Sequence, residues 1–166
     1  MGSASIPRNR AEDRRLARIA LVERHVRLEN AHDLEGVLGT FGASAQYEDE
    51  AWGEHYQGGS GVRQFYEQRM RALPDLQIEV QRRHVTDDAV VLEVLIRGTQ
   101  LGVWRGLPAT GRGVEIPLCV CIRLTPMTGW PGRESITIAG RCCGNSAFSM
   151  SHKVCWDECA LLRLIR

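Results

Sequence analysis

The chain lacks an excess of charge of either sign: 21 lysines and arginines stand against 20 acidic residues among 166. A surface so balanced has little grip on a phosphate backbone, so nucleic acid is not expected as a partner. No apolar run approaches the roughly 18 residues that span a bilayer. The N-terminal stretch MGSASIPRNRAEDRR has none of the apolar centre of a secretory signal. No membrane attachment is expected, and the expected location is the cytoplasm. Paired metal-ligand spacing is missing as well. Cys119 and Cys121 alternate within an apolar run, whereas Cys142, Cys143, Cys155 and Cys159 crowd a C-terminal tail. Structural zinc asks for two separated Cys/His pairs, and a cytosolic chain keeps its thiols reduced, so neither metal nor disulfide framework is expected. The length suits one domain.

What is abundant is glycine in one place. GTQLGVWRGLPATGRG, from Gly98 to Gly113, holds five glycines and one proline. A phosphate-cradling loop delivers backbone N–H groups at the start of a helix, but the residues that follow, VEIPLCVCIRL, are β-patterned and contain Pro117. The stretch therefore reads as a long hairpin connection, with Trp104 and Leu107 able to fold over a cavity.

Periodicity supplies the rest. Between Arg15 and Asn30, Leu16, Ile19, Leu21, Val22, Val26 and Leu28 fall on one broad helical arc. Asp33 is placed to cap a short second helix carrying Leu34, Val37, Leu38 and Phe41. A strand from Ser44 to Glu50 precedes a loop, Trp52 to Gly61, and a third helix with Val62, Phe65, Tyr66, Met70 and Leu73 on one side, ended by Pro74. Leu76, Ile78 and Val80 alternate with polar residues, Thr86-Asp87-Asp88 turns, and strands follow at Ala89–Thr99 and Val114–Leu124. The last of these needs a neighbour, which Ile136 and Ile138 can supply. Helices followed by successive strands predict an α+β domain over 14–126, after a flexible N-terminus, 1–13, and before an atypical tail, 127–166.

Five stretches carry a family resemblance in order and spacing: HVRLENAHDLEGVLGTF, YEDE, GGSGVRQFYE, ALPDLQIEV and GTQLGVWRGLPATGRGVEIPL. Together they resemble the nuclear-transport-factor-2-like superfamily, in its SnoaL-like polyketide cyclase and ester cyclase branch, related to the ketosteroid isomerases. The resemblance implies a cone: helices packed on a strongly bent antiparallel sheet enclosing an apolar pocket. It also implies a homodimer and a small hydrophobic ligand. A displaced reading frame over Glu134–Met150, with GC-rich codons, can yield a Leu-Arg-Gln-Leu-Gly ending that resembles how this family finishes its domain. We therefore expect the tail to arise from a frameshift near residue 127 and to pack poorly.

By resemblance Asp49 stands where the isomerases keep their proton-moving carboxylate. His25 stands where they carry a helix tyrosine, and Cys119 where they carry an oxygen-binding aspartate. Gln100 replaces the histidine of a Gly-Thr-His-x-Gly pattern and cannot move a proton at neutral pH. Asp49 and His25 are thus the expected catalytic residues. Tyr47, which shares a strand face with Asp49, is an expected ligand contact. So are His55 and Tyr56 on the rim loop, together with Gln100, Trp104 and Cys119. The expected function is proton transfer on a hydrophobic carbonyl, polyketide- or steroid-like, by an isomerase or cyclase that uses no cofactor. The alternative is a non-catalytic binding or dimerising module. Epoxide hydrolysis is a third reading; it needs an aspartate–arginine–aspartate relay, of which the sequence places only Asp49.

Overall fold

The computed structural model describes residues 10–42, 45–49, 52–126 and 134–142. Helix α1 (Arg10–Asn30) opens on Glu12 and Asp13 and carries Arg27 in its last turn, charges that oppose the two ends of the helix dipole. Its buried residues are Arg18, Val22, His25 and Glu29, spaced by four, three and four. An apolar stripe was the expectation; three polar side chains and one valine occupy it instead, while Leu16 is 49% exposed. Asp33 does cap α2 (Leu34–Leu38), accepting from Gly36 N at 2.9 Å.

Strand β1 (Gln46–Asp49) pairs antiparallel with β2 (Glu54–Gln57), Tyr47 opposite Tyr56. The expected loop Trp52 to Gly61 thus contains a strand. Its four residues, Glu-His-Tyr-Gln, carry too little apolar alternation to announce one. Helix α3 (Gly58–Ala72) follows at once and buries Val62, Phe65, Tyr66, Arg69 and Ala72.

The remaining strands are β3 (Gln77–Val85), β4 (Ala89–Thr99), β5 (Gly113–Pro126) and β6 (Glu134–Cys142). Leu76 and Ile78 are buried as their alternation predicts, but Val80, still in register opposite Val94, is 43% exposed; a register shift follows between Val80 and Arg82. The Asn30 side chain locks the end of α1 to this strand, donating to Ile78 O at 3.0 Å and accepting from Ile78 N at 2.7 Å.

The sheet order is β2-β1-β6-β5-β4-β3, with β1 and β6 parallel and every other pair antiparallel. The fold is α+β, helices on an open six-stranded mixed sheet. Strand β6 forms where Ile136 and Ile138 were expected to supply one; it is paired with β5 on one side and β1 on the other, with Ile138 buried, so this part of the tail does not show the poor packing expected of it. The rest of the tail, 127–133 and 143–166, falls outside the described residues. Helix α1 packs against β3 and β4 and α3 against β1 and β2, so the core collects Val22, Val62, Phe65, Tyr66, Val90 and Ile122 between the layers.

Candidate functional site

The connection between β4 and β5 is built to hold a fixed shape. Leu101 N and Gly102 N both donate to Ala72 O, at 2.9 and 3.2 Å, satisfying a carbonyl at the end of α3. A Cβ on Gly102 would collide with the Arg71 carbonyl oxygen and lie 3.1 Å from Ala72 Cα, so only glycine permits this approach. Gln100, 1% exposed, braces the loop from inside. Its amide donates to Gly102 O at 3.3 Å and Pro108 O at 3.1 Å, and its oxygen accepts from the Thr110 hydroxyl at 2.7 Å. At the tip, Trp104 and Leu107 exchange backbone hydrogen bonds at 3.0 and 2.9 Å around Arg105 and Gly106, whose φ values are 50° and 80°. Two positive φ angles in a two-residue connection make a type I′ turn. Arginine is an uncommon occupant of that conformation.

The tip covers a cavity. Phe65, Leu73, Ile96, Val114, Ile116 and Leu118 give it apolar walls, and Tyr47, Asp49, Trp52, Arg69, Gln100, Trp104 and Arg105 complete the lining. Its volume is about 60 Å³, below the roughly 300–1,000 Å³ of ordinary ligand clefts. Arg105 lines it and is held from two sides: its guanidinium donates to Asp49 Oδ2 at 2.5 Å and lies 2.9 Å from Glu54 Oε2. The same group sits 4.6 Å from the Trp52 ring centroid and 4.9 Å from that of Trp104. Glu54 also accepts from the Tyr56 hydroxyl at 3.0 Å. Burial first, and the Glu54 carboxylate with it, pushes the Tyr56 phenol up to about 12.

Behind the cavity runs a buried polar chain. The Thr40 hydroxyl donates to Val37 O at 2.6 Å, which leaves its oxygen to accept from His25 Nδ1 at 2.7 Å. His25 Nε2 is 3.1 Å from the Tyr66 hydroxyl and 3.6 Å from Glu29 Oε1. Arg69 donates to that same Glu29 oxygen at 2.6 Å, with both side chains under 10% exposed. Burial alone would raise the Glu29 pKa; the Arg69 charge and then His25 outweigh it and hold Glu29 well below the usual carboxylate range. Burial opposes the charge on Arg69 too, and Glu29 more than restores it. Tyr47 and Tyr66 stay phenols because burial lifts both well above the ordinary value. One atom is left out: Arg69 Nε is buried and has no hydrogen-bond partner. An orphaned donor of this kind costs about 1–3 kcal/mol.

The structure brings Tyr47, Asp49, Gln100 and Trp104 together on one cavity. It does not bring His25 there; His25 is 1% exposed and spends both ring nitrogens on Thr40 and on Tyr66 and Glu29. His55 is exposed on β2, and Tyr56 does not line the cavity but packs against its wall residue Phe65 and donates to Glu54. Cys119 is half-buried and follows the lining residue Leu118, so strand alternation turns it to the opposite face of the sheet. Sequence reasoning passed over Arg69, Arg105, Glu29 and Trp52's contact with Arg105. Among the described residues no three His, Cys, Asp or Glu side chains group to hold a metal ion. No described helix is long and apolar enough to cross a membrane.

The profile of the SnoaL-like domain matches residues 22–126, well over half the chain. The chain belongs to the SnoaL-like family. Solved structures with this SnoaL-like fold include AclR of Streptomyces galilaeus, assigned as a hydroxylase, at 22% identity and a TM-score of 0.64 over 78% of this chain and 90% of that one. A protein of Jannaschia sp. CCS1, assigned as a SnoaL-like polyketide cyclase, is 18% identical with a TM-score of 0.66 over 82% and 90%. Rv0760c of Mycobacterium tuberculosis, solved in complex with estradiol-17beta-hemisuccinate, is 16% identical with a TM-score of 0.57 over 74% and 91%. At such identities the likeness is one of fold. No curated protein sequence matches this SnoaL-like chain.

Proposed function

We propose that this SnoaL-like protein binds a small hydrophobic carbonyl compound and moves a proton beside its carbonyl, with Asp49 as the base. The observation that carries the reading is a carboxylate on the wall of an otherwise mainly apolar cavity, flanked by Tyr47 and two tryptophans. Apolar walls suit a polycyclic or polyketide-like body, and tryptophan rings suit its flat faces. Rv0760c, of like fold, holds a steroid ester. His25 acts at one remove, holding the Glu29–Arg69 pair and Tyr66 in place. The test is solvent-deuterium exchange into the α-position of a ketone probe, with wild type and Asp49→Asn. A fall of about 10²- to 10⁴-fold is expected for a general base; equal exchange in the two eliminates Asp49 from that role.

A second reading draws on the Asp49–Arg105–Glu54 cluster. An arginine held between two carboxylates fixes their orientation, and an ordered carboxylate can activate water toward an apolar epoxide. Hydrolysis of a cycloalkene oxide that is lost in both Asp49→Asn and Glu54→Gln, with ketone exchange absent in wild type, would select it over the first.

A further inference from the structure

Besides Asp49, Tyr47 and the indole N–H groups of the two tryptophans, three polar side chains line the cavity, and two of these are already committed. Gln100 spends its amide on Gly102, Pro108 and Thr110. Arg105 spends its charge on Asp49 and Glu54 and lies against two indole rings. Arg69 differs. It lines the cavity, is 6% exposed, and gives one nitrogen to Glu29, yet its Nε–H has no acceptor.

We propose that Arg69 Nε receives the ligand's oxygen, and that this oxygen belongs to a neutral carbonyl. Glu29 already balances the guanidinium, so the pair adds no net charge to the apolar interior. A ketone oxygen satisfies the orphaned Nε–H and keeps that balance. A carboxylate would set a second negative charge beside Glu29 and upset it. Tyr47, Asp49 and Arg69 line the same cavity. A ligand larger than a few waters has to spread the walls, and Arg69, a lining residue with an unpartnered Nε–H, is the buried donor assigned to it. As negative charge builds on the oxygen during proton removal, the same N–H stabilises it more strongly. The assignment rests on the cavity being the ligand site and is separate from Asp49 acting as base.

The probes are 2-acetylnaphthalene and 2-isopropenylnaphthalene, which replaces the carbonyl oxygen by a methylene. Their affinities are measured for wild type and for the double variant Glu29→Gln/Arg69→Met, which removes the pair together and strands no lone buried charge. The ketone-to-hydrocarbon affinity ratio is expected to fall by about tenfold or more in the double variant. Hydrocarbon binding should hold. In wild type the infrared carbonyl stretch of the bound, ¹³C-labelled ketone should move to lower frequency, a reading that needs no variant. A ratio unchanged between the two proteins, or an unshifted stretch, overturns the assignment. Deuterium exchange that persists beside either result leaves Asp49 as base and removes only Arg69. Failure of both naphthalenes to bind wild type removes both.

Discussion

Arg105 donates to Asp49 Oδ2 at 2.5 Å from the tip of a hairpin 56 positions further along the chain. The contact does two things at once. It ties the hairpin tip to β1 at the cavity lining, and it engages the carboxylate that the proposed chemistry needs. An open state in which the guanidinium leaves Asp49 is therefore required before a ligand can meet that oxygen.

Arg105→Asn separates the clasp from the backbone, since asparagine tolerates the left-handed conformation that Arg105 adopts at φ 50°. Loss of a charge-assisted, largely buried pair should lower stability by about 1–3 kcal/mol in urea unfolding. Ligand association, followed through Trp52 and Trp104 fluorescence in stopped flow, should become faster. An association rate equal to that of wild type would show that the clasp does not gate the cavity.

Glu29 supplies a pH signature. Its folded pKa lies below the ordinary 4.5, so the unfolded chain binds its proton first as pH falls. The stability it contributes is complete above the ordinary value and is lost as pH drops toward the folded one. Glu29→Gln should remove this component of the acid limb in urea midpoints taken between about pH 3 and pH 7. At neutral pH it should also cost about 3–5 kcal/mol, because Arg69 is left buried and unpaired. A variant whose midpoints fall with acid as steeply as wild type would place that limb on other groups.

The fold was legible because α3 and the β3–β4–β5 meander repeat their apolar residues at 3.6 and 2. What period cannot show is a charged residue used as core. Arg69 sits at the i+3 and i+4 positions from Tyr66 and Phe65, on the buried arc, and Glu29 lies one turn beyond His25; both positions could have been flagged by helical geometry. Arginine and glutamate default to the surface because burial is expensive without a partner, and partners forty residues away leave no local mark. Arg105 did leave one. Arg-Gly between Trp104 and Leu107 fits a two-residue hairpin, in which the side chain before glycine stands at the tip. Alternation alone left Glu48 and Asp49 equal; resemblance chose Asp49, and Tyr47 followed as its neighbour on the same strand face, whereas Cys119, also placed by resemblance, falls one residue out of the lining's phase.

Gly102→Ala should be costly for a residue outside any helix or strand. The added Cβ meets the Arg71 carbonyl oxygen and Ala72 Cα, both of them backbone at the end of α3, so no side chain can swing aside. A loss of about 1–3 kcal/mol is expected, as for overpacked cores. Gly106→Ala, with open space around it and φ of 80°, should cost less and through backbone strain alone. Thermal unfolding of the two variants side by side checks the order.

Gln100→Leu tests whether the brace serves the lid or the core. Leucine nearly fills the volume of glutamine, and the groups it would abandon, Gly102 O, Pro108 O and the Thr110 hydroxyl, belong to residues that are exposed or half-buried. Acceptors near water recover their hydrogen bonds there, so the global cost should stay near 1 kcal/mol or below. The local effect should be larger. Without the brace the connection loses its internal side-chain ties while its backbone bonds to Ala72 and the Arg105 clasp remain, and amide exchange at Trp104 and Leu107 should accelerate while the strands stay protected. Ligand affinity should fall with it, because the closed lid then has to be ordered on binding. A variant that loses strand protection together with the hairpin would place Gln100 in the core's cooperative unit instead.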